Sequence, residues 1–195
     1  LSKVTEDPSC ICSKNNNVRL INCLNAYSLA VALKDDVFFN ALIGSDILLC
    51  DGVLVQILCK LKLGRDVHRV TGPEFADSFL RSHTGKFLFL GSSSYVCERL
   101  IGNVMKNSDG VFSFYAPRFC QRIDKEFILD CEQAVAKHQP RYVLVGLGAP
   151  KQEELAHELS KLFQETTFLQ VGAYFDFAAG TLRRAPRFFS QIGLE

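Results

Sequence analysis

Short apolar runs alternate with longer amphipathic stretches along the chain, and this alternation restricts the possible folds more than any other feature of its 195 residues. The runs lie at 18–23, 47–50, 87–90, 111–115, 142–147 and 168–171. Each holds four to six residues and is rich in β-branched, aromatic or leucine side chains, as expected of strands buried on both faces. Helix-like stretches fill the gaps, at about 28–40, 52–62, 73–82, 94–106, 124–138 and 151–163. In the clearest, Phe127, Ile128, Cys131, Ala134 and Val135 follow helical spacing. Asp124 can cap its start, Lys137 and His138 suit its negative end, and Pro140 stops it. Strand and helix in strict alternation predict an α/β fold, with a mostly parallel sheet and helices on both faces.

Composition narrows the class further. With 48% hydrophobic and 22% charged residues the chain is globular, and a net charge of +1 provides no overall field for nucleic acid. The longest uncharged run, 20–33, has 14 residues, short of the roughly 20 that a spanning helix needs. Residues 1–17 read as a loose polar arm without the apolar stretch of a secretory signal, so a cytoplasmic protein is expected, with 18–195 as its single domain. Eight cysteines do not form a zinc pattern. Only Cys10 and Cys12 are close-spaced, and most of the others sit inside apolar runs as small buried hydrophobes.

In a parallel sheet flanked by helices, ligands bind beyond the carboxyl ends of the strands. The residues there are Asn25, Asp51-Gly52, Gly91 with Ser92 to Ser94, Ala116 to Arg118, Gly148 to Glu153 and Gly172 to Asp176. Glycine, hydroxyl and amide groups beside helix starts suit a phosphate-bearing ligand. Neither Gly-x-Gly-x-x-Gly nor the Walker pattern occurs, which disfavours dinucleotide enzymes and nucleoside triphosphatases. Asp51 follows an apolar strand and precedes a glycine, so it is expected to enter the ligand cleft as a general base, or else to cap the next helix. Lys151 or Gln152 is expected to face a ligand, or the stretch simply starts a helix. Near the end, Arg183, Arg184 and Arg187 stand among Phe188, Phe189, Ile192 and Leu194, a mixture that suits an anionic membrane surface or a lipid pyrophosphate, or else a solvated basic edge. The two phenylalanines are also a candidate surface for self-association into a homo-oligomer.

Several segments, in order, resemble the WecG/TagA/CpsF glycosyltransferase family. They are Asp51-Gly52, His68-Arg-Val-Thr-Gly72, Phe89-Leu-Gly91, Val145-Gly-Leu-Gly-Ala-Pro-Lys-Gln-Glu153, Val171-Gly-Ala-Tyr-Phe-Asp176 and Ala179-Gly-Thr-Leu-Arg-Arg-Ala-Pro186. The resemblance implies a Rossmann-like domain that moves N-acetylmannosamine, its uronic acid or a related hexose from a UDP-sugar donor. The implied acceptor is a polyprenyl-pyrophosphate-linked sugar at the inner face of the cell membrane, in cell-surface polysaccharide synthesis such as teichoic acid or enterobacterial common antigen. It implies neither cofactor nor metal. By the same resemblance Asp51 is the catalytic base, Arg69 and Gln152 lie near the donor phosphates and pocket, and Asp176 belongs to the nucleotide-binding motif. Cys23, Asn25, Gly91, Ser92, Gly148, Lys151, Gly172 and Tyr174 complete the expected substrate contacts, and Arg118, from its strand-end position, is a further candidate beside the leaving group. Two departures stand out. Cys23 occupies the place of a threonine, which replaces a hydroxyl by a weaker hydrogen bonder. The chain also ends at Glu195, where family members continue into an arginine-rich appendage, so weak activity on a lipid acceptor is expected. A non-catalytic nucleotide-sugar-binding module is the alternative reading.

Overall fold

The computed structural model describes residues 1, 3–5 and 18–182. In chain order the elements are β1 (Leu20–Leu24), α1 (Ala26–Ala32), α2 (Asp36–Ile43), β2 (Ile47–Cys50), α3 (Val53–Leu63), α4 (Gly72–Ser82) and β3 (Lys86–Gly91). There follow α5 (Ser94–Val104), β4 (Val111–Tyr115), α6 (Lys125–His138), β5 (Tyr142–Gly146), α7 (Lys151–Leu162), β6 (Thr167–Gln170) and α8 (Tyr174–Ala179). The strands form one sheet in the order β2-β1-β6-β5-β3-β4, and every pairing is parallel. The fold is therefore the α/β, Rossmann-like arrangement expected from the alternation.

Strand residues alternate between two buried layers, which is why the runs are apolar throughout. One layer joins Ile21, Leu49, Phe87, Phe89, Leu144 and Leu169 to Phe75 and Phe79 of α4, Leu100 of α5 and Phe175 of α8. The other joins Leu20, Leu88, Leu90, Val143, Val145 and Phe168 to Phe127 and Val135 of α6 and Leu155 and Leu159 of α7. Each such side chain contributes about 1.5–3 kcal/mol by leaving water. A third cluster closes the β2 edge, where Leu24, Leu48 and Cys50 meet Phe38 of α2 and Val55 of α3.

Three local features differ from the sequence reading. The helix expected at 28–40 is two helices, because the Asp35 carboxylate accepts from the N–H groups of Val37 and Phe38 (3.0 and 3.1 Å) and starts α2 afresh. The described start of the polar arm is docked rather than loose. Val4 is 1% exposed and bridges to Leu48, Thr5 N donates to Leu48 O at 2.9 Å, and Arg65 donates to Val4 O at 3.0 Å. Helix α8 was not anticipated; it is a single short element of six residues that starts directly after the β6 turn.

The topology also sets where a ligand can bind. From β3 the chain crosses to β4 on one side, while from the adjacent β5 it crosses to β6 on the other. Connections that diverge from neighbouring strands leave a crevice open at their carboxyl ends.

Candidate functional site

That crevice is a cavity of about 740 Å³. It is lined by Ser92 to Ser94 after β3, Ala116 to Cys120 after β4, Gly146 to Gly148 and Lys151 after β5, and Gly172, Ala173 and Asp176 after β6. Its floor depends on Gly91, where φ is +131° and a Cβ atom would lie 2.4 Å from the carbonyl oxygen of Gly146. Only glycine allows the two strand ends to approach this closely. Ser92 follows with φ of +58°, and Ser93 caps α5 by accepting from Val96 N at 3.4 Å. The first turns of α5 and α7 thus reach the rim of the crevice, a setting favourable to an anion.

The sheet order splits the expected residues into two groups. Ser92, Gly148, Lys151, Gly172 and Asp176 line the crevice, with Gly91 beneath it. Cys23, Asn25, Asp51 and Arg69 stand at the ends of β1 and β2. Asp51 is half-buried, and its backbone N–H donates to Leu24 O at 2.9 Å. The N-cap of α3 is Gly52, one residue further on. Arg69 is brought beside it by an isolated bridge to Cys50, with Val70 N donating to Cys50 O at 2.9 Å. The Cys23 thiol donates to Gln170 O at 3.7 Å. Burial, then the charges of Asp51 and Glu153, push this thiol well above its ordinary range, so it stays protonated and acts only as a weak donor. Asn25 caps α1 by accepting from Ser28 N at 2.9 Å, which leaves its Nδ2 group for a ligand.

Two residues join the groups. Gln152 is 6% exposed; its Oε1 accepts from Gly172 N at 3.1 Å, and its Nε2 donates to Glu153 Oε1 at 2.9 Å. Glu153 is 2% exposed, and burial pushes its carboxyl up to about 7. Its Oε2 has no hydrogen-bond partner. The two buried residues therefore link the β6 turn to the start of α7, in the middle of the row of strand ends.

Three more of the expected residues have partners within the fold. Tyr174, implied as a substrate contact, is 2% exposed, and its hydroxyl donates to Asp77 Oδ1 of α4 at 2.8 Å, so it fastens α8 to α4. Lys151 lines the cavity, but its ammonium donates to Cys120 O at 2.9 Å and lies over the Phe119 ring. Arg118 pairs with Asp124 at 2.6 Å and with Glu126 at 3.4 Å, which ties it to the start of α6. Arg183, Arg184, Arg187, Phe188 and Phe189, like Cys10 and Cys12, lie outside the described residues. Sequence reasoning missed Glu153 as a site residue, because an acid in a first helical turn reads as an ordinary dipole partner. It also missed Phe119, 87% exposed at the cavity wall, which no motif singles out.

Among the described residues no three His, Cys, Asp or Glu side chains gather as a metal-binding group would, and no helix is long and apolar enough to cross a membrane.

The model of the glycosyl transferase WecG/TagA/CpsF family matches residues 5–195. The N-acetylglucosaminyldiphosphoundecaprenol N-acetyl-beta-D-mannosaminyltransferase of Bacillus subtilis (strain 168) is 26% identical over 180 residues, which cover 90% of this chain and 68% of that protein. The protein of the same name from Bacillus spizizenii is 28% identical over 84% of this chain and 63% of its own length. That from Staphylococcus aureus (strain NCTC 8325) is 26% identical over 66% of this chain and 50% of its own length. The chain thus spans about half to two thirds of the length of these relatives.

Proposed function

The chain belongs to the WecG/TagA/CpsF glycosyltransferase family, and from that membership we propose that it transfers N-acetylmannosamine, or a closely related hexose, from a UDP-sugar to a polyprenyl-diphosphate-linked sugar. One observation carries the reading. The sheet lines up a carboxylate with an adjacent arginine after β2, a buried amide from the start of α7 bonded to the turn after β6, and a glycine- and serine-lined crevice between β5 and β3. From β2 to β5 is three strand spacings, about 14 Å. That span suits a nucleotide seated in the crevice with its diphosphate and sugar extended toward Asp51.

In this arrangement the Asp51 carboxylate takes the proton of the acceptor hydroxyl as that oxygen attacks the anomeric carbon. The bond from that carbon to the diphosphate oxygen breaks, and its electron pair leaves with UDP, so one displacement inverts the centre. Arg69 and the N–H groups at the starts of α5 and α7 oppose the charge that grows on the leaving diphosphate. The names of the relatives, which specify a diphosphoundecaprenol-linked acceptor and β-mannosaminyl transfer, support the acceptor class.

Acceptor-dependent UDP release over a panel of UDP-sugars tests this. Release with a short-chain polyprenyl-diphosphate N-acetylglucosamine and one N-acetylhexosamine donor is the expected result. Tight UDP binding without acceptor-dependent release would instead identify a binding module.

A further inference from the structure

Glutamates are kept out of protein interiors unless they are paired, because an ionised carboxylate loses its water and gains little in return. Glu153 breaks this rule. It is 2% exposed, sits on the helix layer beside Leu155 and Ala156, receives one side-chain bond from Gln152, and leaves Oε2 without a partner. The interior gains nothing from a carboxyl group there that an apolar residue would not supply better.

We propose that Glu153 is a positioning residue, which fixes the orientation of the Gln152 amide in the middle of the strand-end row. Gln152 presents its oxygen to the Gly172 N–H and its nitrogen to the Glu153 carboxyl oxygen. If the amide flipped, its NH₂ would meet the Gly172 N–H, which is repulsive at any pH, and its oxygen would meet the Glu153 carboxyl, which is repulsive whenever that group is ionised. Gly172 alone would leave the nitrogen end unconstrained, and Glu153 holds that end. Pinned in this way, Gln152 keeps one N–H and one lone pair free for a ligand lying between the crevice and Asp51. Its neighbours tie Glu153 to the same centre: from β1 the Cys23 thiol feels both Glu153 and Asp51, and on α7 Glu154 adjoins it as a like charge. Burial, the main cause, pushes the Glu153 carboxyl up toward neutrality, so the group is held at a cost to the fold.

The kinetic part of this inference rests on the transferase reading, whereas the geometry of the amide does not. The test uses the full chain and the variants Q152A, E153A, E153Q and Q152A/E153A. Transfer rate, donor KM, thermal midpoint and the NMR signals of the Gln152 side-chain NH₂ are measured for each. E153A is expected to lower kcat about tenfold, as a misplaced contact group does, without lowering the thermal midpoint. On the Q152A background the same change should cost less than about twofold, because the residue it positions is gone. E153Q, whose amide oxygen can accept the same N–H, should stay within about threefold of the parent. The Gln152 NH₂ protons should be protected in the parent and in E153Q and exchange freely in E153A. Losses that multiply between Q152A and E153A, or Gln152 protons equally protected in E153A, would overturn the inference. If the parent chain moves no sugar, the proposed function fails, and the protection of the Gln152 protons still decides the role of Glu153.

Discussion

Asp51→Asn is expected to lower turnover by roughly 10²- to 10⁴-fold, the usual contribution of a general base, while the affinity for UDP changes less than about threefold. The substitution preserves size and a polar end but removes the ability to take a proton. The selectivity of the effect follows from the sheet order. Asp51 ends β2 at one edge, whereas the crevice lies between β5 and β3, with β1 and β6 intervening. A change at the base should therefore leave the nucleotide seat intact. Calorimetric titration with UDP and the rate of acceptor-dependent UDP release, measured on the same preparation, separate the two effects. Near-parental turnover in Asp51→Asn would remove Asp51 from the base role. Loss of UDP affinity in step with turnover would show that the carboxylate helps to build the nucleotide site.

The second large effect concerns stability. A Glu153 carboxyl held at about 7 in the fold, against an ordinary value of 4.5, binds its proton more tightly folded than unfolded. Below pH 4.5 both states are protonated and the group is neutral toward stability. As the pH rises from there to about 7 the unfolded chain ionises first, so stability falls; above about 7 the loss is complete. A shift of this size corresponds to about 3 kcal/mol. Urea unfolding at a series of pH values is expected to show this decline in the parent and its absence in Glu153→Gln, which should be the more stable protein at pH 8. Parallel pH profiles for the two proteins would mean that the buried carboxyl is relieved in some other way. A residue that lowers stability at working pH while orienting a neighbour in the site is an example of function maintained against the fold.

The layered α/β architecture was legible in the sequence because strands buried on both faces leave a continuous apolar run. The residues after each run could then be assigned to one end of the sheet. Boundaries were less legible. The break between α1 and α2 depends on Asp35, whose capping role was masked by apolar spacing that continues past it. Val4 reads as part of a polar arm because one buried valine among charged neighbours has no periodicity to reveal it. Within the site, strand-end position predicted which residues gather, but not their partners. Tyr174 and Asp77 are 97 positions apart, and only the packing of α8 on α4 joins them. Lys151 stands where a phosphate ligand would suit it, yet a backbone carbonyl of the loop after β4 holds its ammonium. Glu153 was hidden for the converse reason: its sequence context is that of a solvated first turn, and the sheet beneath α7 makes it buried.

The proposed reaction is a single displacement in which Asp51 deprotonates the acceptor and the sugar of the UDP donor inverts. The anomeric configuration of the new glycosidic bond tests it most directly, read from the one-bond C1–H1 coupling of the purified product made from an α-linked UDP-N-acetylmannosamine. A β-linked product, lost in Asp51→Asn, is the predicted result. An α-linked product would contradict the account, because retention requires a second displacement that one carboxylate acting as a base does not provide.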